Sequence, residues 1–371
     1  MQHIVIDARL YGTKHTGIGR YTKNLLIHLT KLPDCKKYRF TLIIHQNQQK
    51  EIKKDLKNNF NLITTSIPHY SFAEQLKLPV LLYKLKPDLV HFTHFNKPIF
   101  YFGKSVVTIH DLIKHFSKGK NTTTRNPFLY WPKYLAYLLI TNMNIKSNFI
   151  IVPSNFWRRY LIKNFKISSS KIITTHEAID PNFTAVIPSV VEGSRRNQNY
   201  AIYTGNLYPH KNIKIIFQAL TKLPNLKLKI ISTKNIFTKR AQKLTQKLNI
   251  SKQVQFLGHI SDSKFKKIYQ NALCLIHPSF MEGFSLTGLE AMALSCPVIS
   301  SNSSCLPEIY QNSVLYFNPN KTNQLITQIK KLQSSPRLRQ QLINRGHKQI
   351  TKYSWDQCAH QTLNFYTKIL G

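Results

Sequence analysis

With 371 residues the chain is too long for one ordinary hydrophobic core and long enough for two domains, and its 42% hydrophobic content rules out wholesale disorder. Against 53 Lys plus Arg stand 15 Asp plus Glu, a formal net charge of +38, with 28 basic and 9 acidic residues in 1–180 and 25 and 6 in 181–371. That spread excludes a single basic tail and makes the whole surface attractive to anions (an acidic membrane, a phosphorylated substrate or nucleic acid), although compositional bias toward Lys, Asn and Ile would produce the same count.

HIVIDARL (3–10) reads as a short apolar strand, followed by a Gly-bearing loop, YGTKHTGIG, and an amphipathic helix, RYTKNLLIHLTKL. YRFTLIIH, DLVHFTH, SVVTIHD and FIIVPS are continuous β-branched and aromatic runs of the kind that parallel strands show when both faces are buried. FLYWPKYLAYLLI (128–140) is interrupted by Pro132 and Lys133 and is too short to span a bilayer. It reads as a buried helix, with an aromatic membrane-surface helix as the alternative. Residues 1–180 therefore read as one doubly wound α/β domain. DPNFTAVIPSVVEGSRRNQN, rich in Pro, Ser, Asn and Gly, reads as a linker over 181–199. The alternation restarts with YAIYTGN, continues through LKLKIIS, VQFLG, ALCLIHP and CPVISS with helices between, and becomes helical from Thr322. Residues 200–371 form a second α/β domain, whose final helix is a candidate to cross back to the first. Met1 leads straight into a strand, and Cys35, Cys274, Cys296, Cys305 and Cys358 form no CxxC pair. Both features fit a cytoplasmic protein with reduced thiols and no metal centre.

Ligands of doubly wound sheets bind beyond the carboxyl ends of strands, so the loops there carry the candidate chemistry. In HPSFMEGFSLTGLEAMALSCPVI (277–299) a helix is expected from Ser285 or Leu286, and its free amides and positive dipole end make an anion site. Gly283 and Gly288 would let a ligand approach the backbone. Glu282 precedes this site and Glu290 lies one turn into the helix, each placed to accept hydrogen bonds from hydroxyls. A helix dipole favours a Glu there anyway, but Glu282, Glu290 and Glu308 are three of only six acids after residue 180, and they occupy consecutive post-strand loops and helix starts. In YTGNLYPHKN (203–212) a strand ends, Gly205 turns, and His210 and Lys211 stand beside a helix start expected near Asn212, which together suit a phosphate. In VVTIHDLIKH, His110 and Asp111 end a strand of the first domain and would face a cleft between the domains.

These pieces resemble the retaining GT-B glycosyltransferases that include bacterial mannosyltransferases, glucosyltransferases and sucrose synthase. EGFSLTGLE matches that family's E-x7-E motif, and TGIGRY, TIHDL, VPSNF, HEAID, GNLYPHKN, VQFLGHIS, LPEI and the terminal YSW extend the likeness almost end to end. The resemblance implies two Rossmann-like domains facing a central cleft. It implies that Glu282 contacts the donor sugar, Glu290 the ribose, Lys211 the diphosphate and His110 the reacting sugar, and that Gly17 and Gly19 let the first loop close on phosphates. Gly205, Asn206, His210, Gly283, Phe284, Ser285 and Leu286 complete the donor site.

Two departures stand out. Asn206 occupies a position where many members carry Arg, leaving the site one cation short unless His210 substitutes. Ser232 and Thr233 stand where a G-x-G is usual, which leaves the base open among GDP, UDP and ADP. The expectation is a cytoplasmic, metal-independent glycosyltransferase without a cofactor, peripheral on the inner face of the plasma membrane. It would pass a sugar, mannose from GDP-mannose being favoured, to a cell-surface glycan or lipid-linked acceptor by front-face attack, and nucleic acid is not the favoured partner. A sugar-nucleotide epimerase of the same fold and a non-catalytic anion- or nucleic-acid-binding protein are the alternatives.

Overall fold

The computed structural model describes residues 1–12, 16–57, 59–119, 122, 128, 130–180, 183 and 199–371. The chain begins β1 (His3–Asp7), α1 (Thr16–Leu29), β2 (Arg39–His45), α2 (Gln49–Leu56), β3 (Asn61–Thr65), α3 (Phe72–Leu85), β4 (Leu89–Phe92) and β5 (Ser105–Thr108). There follow α4 (Ile113–Phe116), α5 (Tyr130–Ser147), β6 (Phe149–Val152), α6 (Asn155–Phe165) and β7 (Ile172–Thr174). Next come β8 (Tyr200–Thr204), α7 (Ile213–Leu220), β9 (Lys227–Ile231), α8 (Ile236–Lys247), β10 (Val254–Phe256), α9 (Asp262–Gln270) and β11 (Cys274–His277). The chain closes with α10 (Leu286–Ala293), β12 (Val298–Ser301), α11 (Leu306–Tyr310), β13 (Leu315–Phe317), α12 (Thr322–Ser334), α13 (Pro336–Ile350) and α14 (Trp355–Leu370).

Two compact units result. One comprises Met1–Leu112, Trp131–Glu177 and Ser354–Gly371, and the other Ile113–Tyr130 and Ala178–Tyr353. Of the expected linker, only Phe183 and Asn199 are among the described residues.

The first unit has a seven-stranded sheet in the order β3-β2-β1-β4-β5-β6-β7, and the second a six-stranded sheet in the order β10-β9-β8-β11-β12-β13. All pairings are parallel. Each sheet starts near its middle, winds to one edge, returns, and winds to the other, which is the doubly wound Rossmann order. The inner strands β1, β4, β5, β11 and β12 are buried along their whole length, as their unbroken apolar runs require. The strands β3, β7 and β13 were not evident in the sequence; they are edge strands, partly solvated, with no continuous apolar run to mark them.

Helix α14 packs on the first unit. Tyr366 hydrogen-bonds buried His91 of β4, His28 Nδ1 lies 2.6 Å from Asp356, and the Lys104 ammonium donates to the Ile369 carbonyl at 3.1 Å. Where this unit's strand order reverses, Arg9 forms a sealed cluster. Its Nη2 donates to Asp7 Oδ2 and Glu74 Oε1, both at 2.7 Å, and its Nη1 to the Ile67 carbonyl at 3.0 Å, with Arg9 and Glu74 both 0% exposed. Burial alone would raise the Asp7 carboxyl, but the Arg9 guanidinium outweighs it and holds the group at about 2.

Two expectations are corrected here. Helix α5 is not wholly buried: Tyr134, Tyr137 and Ile145 face inward, while Leu135 and Leu139 are exposed. Gly17 and Gly19 do not lie in a loop before the first helix, because α1 already begins at Thr16. Neither has positive φ, and a first helical turn tolerates Gly because its amides lack intrahelical partners in any case. Among the described residues, no helix is long and apolar enough to cross a membrane.

Candidate functional site

The order of the second sheet reverses between β8 and β11, and the loops leaving these two strands are stitched together. After β8, Gly205 turns the chain at φ +127°, a value L side chains rarely adopt, and its amide donates to the Ile231 carbonyl at 3.0 Å. Asn206 is held by Tyr203, whose hydroxyl donates to the Asn206 carbonyl at 2.6 Å, and by Thr233, whose hydroxyl donates to Asn206 Oδ1 at 3.1 Å. Pro209–Lys211 form one 3-10 turn, and Asn212, left-handed at φ 54°, caps helix α7. The Asn212 side-chain amide donates to the carbonyls of Pro278 (3.2 Å) and Pro319 (2.9 Å), and the Phe280 amide donates to the His210 carbonyl at 2.8 Å.

This stitching brings Lys211 to Glu282. The Lys211 ammonium lies 2.8 Å from both carboxylate oxygens, and His277 Nε2 donates to Oε1 at 2.9 Å. Because a carboxylate only accepts, the His277 proton sits on Nε2, and Nδ1 faces the Tyr310 hydroxyl at 3.1 Å. Burial alone would raise the Glu282 carboxyl; the adjacent Lys211 and His277 outweigh it and hold the group well below the ordinary carboxylate range. The Lys211 side chain is 23% exposed and that of Glu282 8%, so the ion pair opens to solvent on its cationic side.

Helix α10 follows. Its N-cap, Ser285, is left-handed at φ 85° and makes no side-chain cap, because its hydroxyl instead meets the Tyr310 hydroxyl at 2.6 Å. Tyr310 also accepts from the Gly288 amide at 3.1 Å, and a Cβ on Gly288 would fall 2.3 Å from the Tyr310 ring. Packing on Tyr310 therefore requires glycine at position 288 whether or not a ligand approaches it. The Phe284 side chain is buried against Tyr353 with ring centroids 5.3 Å apart, so of this residue only the backbone is left for a donor. Gly283 lies between Phe284 and Glu282 in the same loop, Leu286 opens the helix, and Glu290 is a buried residue of it.

Burial, helped by the neighbouring Lys211 charge, pulls the His210 imidazole down to about 4, so in this structure it is neutral near pH 7. His110, in the first unit, has both ring nitrogens engaged: Nε2 donates to the Thr93 carbonyl at 3.0 Å and Nδ1 lies 3.3 Å from Glu177 Oε1. The edge of Tyr21 packs on it at 4.7 Å between centroids.

The sequence reading placed Asn212 only as a helix start and missed His277, Tyr310 and Ser304, the last of which accepts the Glu282 amide at 3.1 Å. His277 alone left a signal, as a polar residue closing an apolar strand. The others act through contacts across the loops that no local pattern marks.

A family model described as "Glycosyl transferases group 1" matches residues 189–349, and one described as "Glycosyltransferase Family 4" matches residues 15–183. The two models together span most of the chain and mark it as a glycosyltransferase. This glycosyltransferase is 27% identical to the O-antigen chain mannosyltransferase B of Escherichia coli, with 95% of this chain and 96% of that protein aligned. It is 22% identical to the O-antigen chain mannosyltransferase RfbU of Salmonella typhimurium, over 98% of this chain and 99% of the other. Among solved structures, a sucrose-phosphate synthase from Thermosynechococcus elongatus superposes with a TM-score of 0.75 at 17% identity, covering 100% of this chain and 99% of that one. WaaG, a glycosyltransferase involved in lipopolysaccharide biosynthesis, superposes at 0.69 and 13% identity, with 98% of each covered. The fold of the glycosyltransferase is GT-B, with two parallel doubly wound sheets.

Proposed function

We propose that this glycosyltransferase moves mannose from a nucleotide-sugar donor, GDP-mannose being favoured, to a glycan or lipid-linked acceptor of cell-surface polysaccharide synthesis, with retention of configuration and without a metal. The observation that carries the reading is the Lys211–Glu282–His277 cluster at the strand-order reversal of the second sheet, beside a helix start whose N-cap side chain is turned away. The names of the two O-antigen mannosyltransferases support the sugar and the class of acceptor.

In this reading the donor diphosphate takes the open side of Lys211 and the first amides of α10, at Leu286 and Thr287. The ammonium then shares its charge between Glu282 and phosphate. Glu282, ionised and held by His277, accepts from donor-sugar hydroxyls, and Glu290 accepts from the ribose. As the glycosidic bond breaks, negative charge grows on the leaving phosphate, where a preorganised cation lowers the barrier. The leaving phosphate takes the acceptor proton on the face from which it departs. His110 contacts the reacting sugar by giving up one of its two present partners. The protein would work at the inner face of the plasma membrane, where lipid-linked acceptors reside, and its positive surface supports that placement.

The test is a nucleotide-sugar panel read by thermal shift, followed by turnover with the donor that binds. The reading requires GDP-mannose to raise the midpoint most and EDTA to leave turnover intact. A midpoint raised only by another sugar nucleotide would overturn the donor, and abolition by EDTA would overturn metal independence.

A further inference from the structure

Ser285 stands at the N-cap of α10 in a conformation that serine resists. Its φ of 85° and ψ of 71° lie in the left-handed region, where a residue with a Cβ is strained. A serine in the ordinary extended N-cap conformation turns its hydroxyl onto the second or third helical amide and caps it. Here those amides belong to Thr287 and Gly288, and Ser285 caps neither. The Gly288 amide donates to the Tyr310 hydroxyl instead, and among the described residues no protein group accepts the Leu286 or Thr287 amide.

One buried phenol holds Ser285 in place. Tyr310, the last residue of α11 and 0% exposed, donates its hydroxyl proton to the Ser285 carbonyl at 3.0 Å. Burial pushes the phenol well above its ordinary range, so it keeps the proton that this carbonyl receives. The same oxygen lies 2.6 Å from the Ser285 hydroxyl and accepts the Gly288 amide at 3.1 Å. His277 Nδ1 lies 3.1 Å from it as well, and His277 Nε2 donates to Glu282. A single hydroxyl therefore ties the N-cap of α10 to the imidazole behind the Glu282 carboxylate.

Removing that oxygen has a definite consequence. Ser285 loses both bonds that offset its strain and is free to relax to the extended conformation. Its hydroxyl then turns onto the Thr287 and Gly288 amides, and the cap it forms competes with any anion for the helix start.

We infer that Tyr310 is a positioning residue for donor binding: its hydroxyl holds Ser285 off the start of α10, so that the first helical amides stay open to the donor diphosphate. The inference rests on the proposed function for the identity of that anion. A purely structural role for Tyr310 makes a different prediction, a defect that no change at position 285 repairs.

The experiment is calorimetric titration of the full chain with GDP, UDP and ADP. Wild type, Tyr310→Phe and the double variant Tyr310→Phe/Ser285→Gly are compared with the nucleotide that wild type binds most tightly. Tyr310→Phe should bind it about tenfold more weakly, the size expected when the diphosphate must displace an N-cap hydrogen bond. The double variant should return to within about threefold of wild type, because glycine adopts positive φ without strain and has no hydroxyl to cap with. Thermal midpoints without nucleotide show which variants are folded. Should Tyr310→Phe not fold, the double variant carries the test: wild-type binding by it shows that the phenol is needed only while serine stands at 285, and lost binding overturns the inference. Tyr310→Phe binding at wild-type strength, or a double variant as weak as Tyr310→Phe, would overturn the inference and leave the proposed donor site standing. Wild type that binds none of the three nucleotides would instead overturn the donor reading, and the positioning role with it.

Discussion

Both units wind their sheets in the same order and both place a charged cluster where that order reverses, but the clusters differ in access to water. In the first unit Arg9, Asp7 and Glu74 are closed off, with Arg9 and Glu74 0% exposed. In the second, Lys211 reaches Glu282 from a side chain 23% exposed. A sealed ion network offers no room for a ligand, and its removal leaves uncompensated buried charge. An ion pair open on its cationic side can exchange one partner for an incoming anion. The same architecture thus closes one switch point around an ion network that holds α3 to the sheet and leaves the other open to solvent.

Arg9→Leu should show the largest effect. It removes the guanidinium shared by two buried carboxylates, leaving Glu74 its bonds from the Tyr70 amide and Asn96, and should destabilise by about 3–5 kcal/mol in chemical denaturation at neutral pH. The pH dependence follows from the depressed Asp7 value. A carboxyl held at about 2, below its ordinary 3.8, contributes stability that is complete above pH 4 and is lost as pH falls toward 2. The gap between wild type and Arg9→Leu should therefore be widest near neutrality and narrow below pH 4. A loss under about 1 kcal/mol at pH 7 would mean that the network is not sealed.

Next, Lys211→Ala should lower turnover by about two to three orders of magnitude, the size expected when one preorganised charge-stabilising group is removed. Its stability should fall less than that of Arg9→Leu, since water reaches this pair. Single-turnover kinetics beside a denaturation curve measure both, and a folded variant destabilised as much as Arg9→Leu yet turning over at the wild-type rate would reverse the contrast.

A smaller effect is expected of Glu290→Gln. Losing a hydrogen bond from ribose to a charged acceptor is worth about 1.5–3 kcal/mol, so donor KM should rise about tenfold or more while kcat stays close to wild type. A fall in kcat at unchanged KM would place Glu290 in the chemical step instead.

The smallest effect belongs to His210→Ala. With its imidazole drawn down to about 4, His210 is deprotonated throughout pH 6–8. The kcat/KM profile of the variant should run parallel to wild type there, within about threefold. A gap that opens as pH falls from 8 to 6 would show that His210 does carry charge.

Some of this was written locally in the chain. Unbroken apolar runs announced the inner strands, because a parallel strand buried on both faces has no polar side to show. Post-strand glycines and acids in an acid-poor half announced Gly205, Glu282 and Glu290, because a tight turn and a buried carboxylate each demand a particular residue type. The family's motifs followed from those same residues. Tertiary structure decided the rest. It set Lys211 against Glu282, residues 71 positions apart, through hydrogen bonds from Asn212 and Phe280 that depend on the order of the strands. It turned Gly288 into a seat for Tyr310, placed Gly17 and Gly19 inside a helix, and left one side of α5 in water. Spacing along the chain reports which residues share a face, but burial, pairing and charge state depend on what packs against that face, and only the folded sheet order determines that.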